Sequence, residues 1–418
     1  MEKEILLVFN PWWEEKVVRK ELAKEFKRDI FEDLIKNFAN KQIIAIYGLR
    51  RVGKSVSLFQ TIEFLINKKV SPERILYFSF DQKADNLREI IDKYEEINSL
   101  RIREGEFFFF FDEIQKLNDW QNQLKIYYDM YPNIKIFVSG SSHLGLLRKG
   151  SESLAGRIKF LNLEPLSFKE WLTLNKIEID EKRLSVYEKV LKNNLHNYLL
   201  SPFPEIANLK EEYSIKEYIN DIILNRIISY DMKKEFIDAD ISLLEELKEL
   251  FFREPGMILN VDKLSRDLGR GKENLLKHIY YLEKGLIIRI LRNYRKGELI
   301  SSRKLKKVYP YHPSFCHLSL EKKDDGKFIE NAFVSILNSK FYWREKDKEV
   351  DIILNNIPIE VKYKESIKSE ELKSINYFIE KFKTKKGFII TKNLEKREAL
   401  INFVPAWKVA FNNKINLS

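Results

Sequence analysis

The stretch Tyr47-Gly48-Leu49-Arg50-Arg51-Val52-Gly53-Lys54-Ser55 follows the apolar run Gln42-Ile43-Ile44-Ala45-Ile46 and fills every fixed position of G-x-x-x-x-G-K-[ST]. This order predicts a strand, a sharp turn and a helix from Ser55 to about Ile66. Side chains at Gly48 and Gly53 would obstruct a backbone that must bend to aim several N–H groups at one anion. Lys54 adds a positive charge, Ser55 offers a hydroxyl to Mg²⁺, and the helix start supplies the positive end of its dipole. The bend therefore reads as a cradle for nucleotide phosphates, contributed by Gly48, Arg50, Arg51, Val52, Gly53, Lys54, Ser55 and Val56.

A second stretch supports the first. Phe107 to Phe111 is an unbroken run of phenylalanine ending in Asp112-Glu113, as expected of a central strand covered on both faces. Carboxylates at such a strand end meet the phosphate crevice. Asp112 would hold the metal through water, in its outer shell, and Glu113 would orient and deprotonate the attacking water, so hydrolysis is expected rather than binding alone. The strand Ile134 to Val138 ends in Ser139-Gly140-Ser141-Ser142, and either Ser139 or Ser141 would touch the γ-phosphate or that water. No N-K-x-D strand accompanies the loop, since Thr391-Lys392-Asn393-Leu394 lacks the aspartate. Adenine is thus favoured over guanine, and the expected cofactors are ATP and Mg²⁺.

At 418 residues the chain exceeds one compact core. No apolar run approaches the ~20 residues of a membrane span, and Met1-Glu2-Lys3-Glu4-Ile5 lacks a signal-peptide pattern, so a cytoplasmic protein with no membrane partner is expected. A lone cysteine, Cys316, excludes an internal disulfide framework. The formal net charge is +11, and the excess is concentrated. Arg253 to Lys307 carries fifteen Lys or Arg against six Asp or Glu, which suits a polyanionic partner or a merely solubilising surface. Near the start, Phe9-Asn10-Pro11-Trp12-Trp13 precedes a charged helix expected to reach about Phe38. The paired tryptophans read as a packing anchor, with stacking on a nucleotide base as the other reading.

The ordered set GLRRVGKS, FFFFFDE, VSGSS, LAGR and LEPLSF, with FNPWW in front, resembles the archaeal and bacterial AAA-type ATPases. In that family the C-terminal region is a winged helix plus a restriction-endonuclease-like domain. The resemblance implies that Arg157 of Leu154-Ala155-Gly156-Arg157 reaches the γ-phosphate, within its own subunit or across a subunit interface. It also implies a helical lid from about Glu170 to Tyr230. Ser201 and Pro202 stand where relatives carry a glycine pair.

From Ile241 the periodicity changes. Leu243, Leu244, Leu247 and Leu250-Phe251 mark one helix, Val261 to Leu268 a second and Glu273 to Glu283 a third, and two strands then flank Lys296-Gly297. This is the order of a winged helix-turn-helix. Lys272, Asn274 and Lys277 would open its groove-reading helix, with Arg289, Arg292, Arg295 and Lys296 on the wing contacting phosphates. A module used only for internal packing is the other reading of the same pattern.

The last segment places Glu330 on a helix, then Asp351 and Ile357-Pro358-Ile359-Glu360-Val361-Lys362 on a hairpin turning at Asn355-Asn356. Side chains alternate along a strand, so Glu360 and Lys362 share one face within reach of Asp351. D-x8-E-x-K after a helical glutamate is a nuclease pattern. Glu330, Asp351 and Glu360 would hold a metal, and Lys362 would stabilise the developing phosphorane charge.

The expected fold is α/β: a P-loop NTPase parallel sheet with a helical lid, then a winged helix-turn-helix and an α/β endonuclease-like domain. The expected boundaries are 1–165 for the ATPase core, 166–238 for the lid, 239–310 for the winged helix and 311–418 for the endonuclease-like part. The expected activity is Mg²⁺-dependent ATP hydrolysis by a switch that binds DNA and cleaves it in one version. Lys54, Glu113 and Arg157 would be catalytic, and assembly into a homo-oligomer or with a protein partner is open. The alternative is a nucleotide-controlled scaffold for a protein partner with a silent C-terminal domain.

Overall fold

The computed structural model describes residues 2–140, 153–295, 305–317, 319 and 325–415. Ser141, Ser142, Lys296 and Gly297, singled out above, lie outside the described residues. The chain divides into two compact units, Met1–Pro165 and Leu166–Ser418.

In the first unit, β1 (Ile43–Tyr47), β2 (Ile75–Ser79), β3 (Phe107–Asp112), β4 (Ile134–Gly140) and β5 (Ile158–Asn162) form a five-stranded sheet. Its order is β2-β3-β4-β1-β5, and every pairing is parallel. Around it lie α1 (Lys3–Phe9), α2 (Trp12–Glu15), α3 (Ile30–Lys36), α4 (Lys54–Asn67), α5 (Leu87–Asn98) and α6 (Trp120–Met130). Every residue of β2, β3 and β4 is buried, which is why these strands read as continuous apolar runs. Phe110 stacks on Phe137 with ring centroids 4.8 Å apart, and Tyr94 of α5 stands edge-on to Phe107 and Phe109. Each fully buried ring contributes roughly 2 kcal/mol of transfer free energy.

Because β2 is an edge strand, its outer hydrogen-bonding groups need partners. The segment after α1 supplies them. Asn10 Oδ1 accepts the Tyr77 amide at 2.7 Å, and Asn10 Nδ2 donates to the Tyr77 carbonyl at 2.9 Å. Both indoles donate to the Ile75 carbonyl, Trp12 at 3.2 Å and Trp13 at 2.8 Å. Trp12 and Trp13 are buried against Phe59 and Tyr94, so the pair packs as an anchor and offers no open face to a base.

The charged helix expected to continue to Phe38 is interrupted. Lys16 adopts a left-handed conformation with φ 61° and ends α2, and helix resumes at Ile30. The intervening backbone serves α4 instead, since Gln60 Nε2 donates to the Phe26 carbonyl at 2.9 Å. A continuous helix would have consumed that acceptor internally.

The second unit begins with the helices Phe168–Leu174, Glu188–Leu200 and Glu212–Glu217, followed by π-helical turns at Tyr218–Leu224 and Ile227–Met232. Ser167 and Glu170 form a reciprocal cap on the first. The helices Ile241–Arg253, Val261–Asp267 and Lys272–Lys284 come next. The strands are β6 (Met257–Ile258), β7 (Ile288–Asn293), β8 (Lys306–Pro310), β9 (Phe341–Glu345), β10 (Lys348–Leu354), β11 (Ile357–Lys362), β12 (Gly387–Thr391), β13 (Lys396–Glu398) and β14 (Ile401–Pro405). They form one sheet of order β13-β14-β12-β11-β10-β9-β7-β8-β6.

The basic strand pair and the acidic hairpin therefore belong to the same sheet. The junction is β7 against β9, parallel, with Arg292 opposite Phe341 and Asn293 opposite Tyr342. Asn293 secures it through its amide, which donates to the Arg344 carbonyl and accepts the Arg344 N–H, both at 2.9 Å. Among the described residues no helix is long and apolar enough to cross a membrane.

Candidate functional site

Strand β1 ends at Tyr47 and α4 starts at Lys54, so Gly48 to Gly53 make the turn between them. Gly53 holds φ 100° as the residue before the helix. A Cβ on Gly48 would lie 2.2 Å from the Leu163 carbonyl oxygen, so only glycine fits there. The Lys54 ammonium donates back to the Gly48 and Leu49 carbonyls at 3.2 and 2.8 Å. A buried arginine from the irregular N-terminal stretch holds the loop from outside. Arg28 Nη1 donates to the Val52 carbonyl at 2.6 Å and Nη2 to the Glu164 carbonyl at 2.9 Å.

Parallel pairing of β3 with β4 and of β4 with β1 brings Asp112 to the same end of the sheet as this turn. The carboxylate is fully engaged. Oδ2 accepts the Ser55 hydroxyl at 2.5 Å and the Tyr77 hydroxyl at 2.9 Å. Oδ1 accepts the Ser139 hydroxyl and, at 3.1 Å, the Glu113 amide. Burial pushes the Asp112 carboxyl up, with Glu113 adding to the rise and the three hydroxyls opposing it. Glu113 takes a left-handed conformation with φ 51°, and its carboxylate accepts Gln115 Nε2. The donor set suits Mg²⁺: Ser55 and Asp112 supply a hydroxyl and a carboxylate already in contact, hard oxygen ligands of the kind the ion takes.

Arg157 is not brought to this site. Its carbonyl accepts the Ile43 amide at 2.8 Å, which puts it at the start of β5, while Tyr47 pairs with Asn162 at the other end. Four residues of strand separate the two ends, about 13 Å. The guanidinium pairs with Asp129, at 2.9 Å from Nε.

In the second unit a buried acidic cluster forms where the nuclease pattern was expected. One step beyond the register pair Ile352–Ile359, Asp351 faces Glu360, and Asp351 Oδ2 accepts the Val361 amide at 2.9 Å. Lys362 Nζ lies 3.1 Å from Glu360 Oε2. A second lysine enters from β8. Lys307 is buried, with Nζ 2.5 Å from Glu349 Oε1 and 3.3 Å from Glu330 Oε1, and Tyr309 donates to Glu330 Oε1 at 2.5 Å. Burial alone would lower the Lys307 ammonium pKa, but Glu330, Asp351 and Glu349 together raise it. Burial also pushes the Glu360 carboxyl up to about 7.

Among the described residues no three His, Cys, Asp or Glu side chains are arranged to hold a metal. Glu330, Asp351 and Glu360, expected as metal ligands, are gathered but engaged separately, two of them by lysine ammonium groups and Asp351 by a backbone amide. Glu360 Oε1 is buried without a hydrogen-bond partner.

The expected DNA contacts divide. Lys272 and Lys277 are exposed but paired with Asp262 and Asp238, and Asn274 is exposed beside them. Arg292 and Arg295 are exposed. Arg289 lies over the Tyr311 ring, 4.4 Å from its centroid, and donates to Asn338. Sequence reasoning missed Asn10, Arg28, Tyr77 and Lys307. Only Lys307 left a signal, sharing one strand face with Tyr309 at the two-residue period.

Residues 40–172 match the family model described as AAA domain. Residues 193–325 and 328–409 match two domains of unknown function, DUF8612 and DUF4143. Two uncharacterized proteins of Methanocaldococcus jannaschii, MJ1544 and MJ1637, are 28% and 29% identical over 92% of this chain, covering 91% and 88% of their own lengths. Among solved structures, the Walker-type ATPase of Pyrococcus abyssi aligns over 72% of this chain and 97% of its own at 16% identity and TM-score 0.44. The Aeropyrum pernix ORC2 protein in its ADP form aligns over 72% of this chain and 92% of its own at 12% identity and TM-score 0.36. The segment that carries the glycine turn and Asp112 is thus similar to an AAA domain.

Proposed function

We propose that this chain is a Mg²⁺-dependent ATP hydrolase that works as a molecular switch coupled to DNA binding. The observation that carries the reading is the contact of Ser55 with Asp112 at the mouth of a glycine turn whose lysine points inward. Lys54 and the loop amides bind the phosphates, Ser55 and Asp112 hold the metal, and Glu113 takes the proton of the attacking water. A Mg²⁺ ion held there by Ser55 and Asp112 would neutralise charge on the bound phosphates. Ser139, fixed on Asp112, orients either the water or the carboxylate. Arg157 acts across a subunit interface, which makes a homo-oligomer the working form.

DNA binding rests on the exposed Arg292 and Arg295 and on the helix opened by Lys272, Asn274 and Lys277, which suit phosphate contacts. A packing or protein-binding role has one observation in its favour: both lysines already have acidic partners within the chain. Cleavage by Asp351, Glu360 and Lys362 is supported by the orphan Glu360 oxygen and opposed by the two ammonium groups on the cluster. Phosphate release from ATP measured with and without Mg²⁺ tests the hydrolase. Glu113→Gln should bind ATP and not turn it over; equal turnover in the variant and the natural chain would remove Glu113 from the reaction.

A further inference from the structure

We propose that Tyr77 is a positioning residue for the metal-bearing carboxylate, and that Asn10 holds it in place from outside the sheet. The proposal rests on the nucleotide site described above and adds to it a residue that no phosphate-loop motif contains.

Asp112 Oδ2 has two donors, the Ser55 and Tyr77 hydroxyls. Ser55 belongs to the nucleotide loop helix. Tyr77 belongs to the neighbouring strand, paired in register beside β3 with Tyr77 opposite Phe110. When Ser55 turns its oxygen toward a metal, Tyr77 is the donor that still fixes Oδ2. Ser139 and the Glu113 amide sit on the other oxygen, Oδ1. A phenol of buried Tyr77 is well suited to this. Its hydroxyl is an O–H donor and already reaches Oδ2 at 2.9 Å.

The aim of a tyrosine on an edge strand depends on how firmly that strand is held. Here the two main-chain groups of Tyr77 are both taken by the Asn10 side chain. Its ring is packed by Phe59 of α4 at 4.5 Å and by Phe9 of α1 at 6.1 Å. The residues Phe9 and Asn10 therefore act on the carboxylate through one side chain. Tyr77 touches neither phosphate nor water in this scheme; it sets where the carboxylate points.

The test uses the full chain, a fluorescent ADP analogue and two variants. In Tyr77→Phe, affinity for the analogue in EDTA should stay within about twofold of the natural chain. The gain in affinity on adding Mg²⁺ should shrink about tenfold, the size expected for losing one hydrogen bond to a charged group. Asn10→Ala should move the Mg²⁺-dependent gain in the same direction by less, and hydrogen exchange of the metal-free chain should show faster exchange at the Tyr77 amide. Equal loss of affinity with and without Mg²⁺ would mean that Tyr77 is structural only and would overturn the proposal. So would an unchanged Mg²⁺ dependence. If the natural chain binds no nucleotide in either condition, the proposed function itself fails and this inference falls with it.

Discussion

The Ser55 hydroxyl lies 2.5 Å from Asp112 Oδ2 across 57 positions of sequence, joining the loop helix to the central strand. A hydroxyl donating to a carboxylate in a buried site is a charge-assisted bond. Replacing it removes both that bond and a metal ligand. Ser55→Ala should lower Mg²⁺-dependent ATP turnover by more than about tenfold and leave Mg²⁺-free nucleotide affinity within about twofold. Steady-state hydrolysis across a Mg²⁺ titration checks it, and an unchanged Mg²⁺ requirement would count against Ser55 as a ligand.

Trp12 and Trp13 donate to one and the same carbonyl, that of Ile75. Either indole alone keeps the carbonyl satisfied. Trp13→Phe should therefore cost only about 1 kcal/mol of stability, the net value of a hydrogen bond with a replacement at hand. The double change Trp12→Phe with Trp13→Phe leaves the edge of β2 uncapped there. It should cost more than the sum of the single changes by about 1 kcal/mol. Urea unfolding of the three variants measures this; additive losses would show that the shared carbonyl has another partner.

The nucleotide site was legible in sequence because its chemistry is local. Gly48 to Ser55 lie in one turn, and the apolar run before Asp112 announces a central strand. The role of Tyr77 and the partner of Asn10 were not legible for the opposite reason: the Phe9-to-Trp13 stretch stood out, but its contact with β2, and that of Tyr77 with Asp112, come only through sheet order. Arg28 reads as one more charge in a charged segment, yet it is buried on the Val52 carbonyl. The hairpin carrying Asp351 and Glu360 was legible from its two-residue period and Asn355-Asn356 turn. Its fusion with the basic strands was not, because the β7 to β9 pairing joins segments about fifty residues apart with no shared motif. That fusion is what delivers Lys307 to the acidic cluster, and it changes what the cluster can hold.

Glu360 is the group in that cluster whose protonation should register in stability. Burial pushes its carboxyl up to about 7 from an ordinary 4.5, with Lys362 pulling it back and Asp351 adding to the rise. The folded chain then binds more protons than the unfolded one between these values. Stability from this group is complete below about pH 4.5 and is lost as pH rises toward 7. Glu360→Gln in EDTA should match the natural chain near pH 4.5 and exceed it above pH 7 by up to about 3 kcal/mol. Thermal unfolding over this range decides it, and a difference that does not vary with pH would assign the effect to packing.

Arg292 and Arg295 are exposed, whereas Arg289 lies over Tyr311 and donates to Asn338. Their substitutions should separate. Arg292→Ala and Arg295→Ala should each weaken duplex DNA binding and reduce the slope of log affinity against log salt by about 1. Arg289→Ala should lower the melting temperature with the salt slope unchanged. Fluorescence anisotropy with a labelled duplex at several salt concentrations provides the readout. Binding that ignores salt in the natural chain would favour the protein-partner reading.

Arg157 sits at the end of β5 away from its own nucleotide turn, and its proposed role is on the turn of another subunit. Its pairing with Asp129 keeps the guanidinium partly exposed and charged, as an arginine must be to reach outward. Arg157→Ala should leave nucleotide affinity close to that of the natural chain and lower turnover by about a thousandfold, the scale of an arginine acting on a transferring phosphoryl group. Lys54→Ala should also be inactive, for want of phosphate binding. Mixing the two inactive variants should restore part of the activity, because an intact turn on one subunit then faces an intact Arg157 on its neighbour. Recovery must depend on total protein concentration if subunits exchange. Two dead variants that stay dead when mixed, in a preparation shown by sedimentation to be assembled, would leave Arg157 as no more than the partner of Asp129.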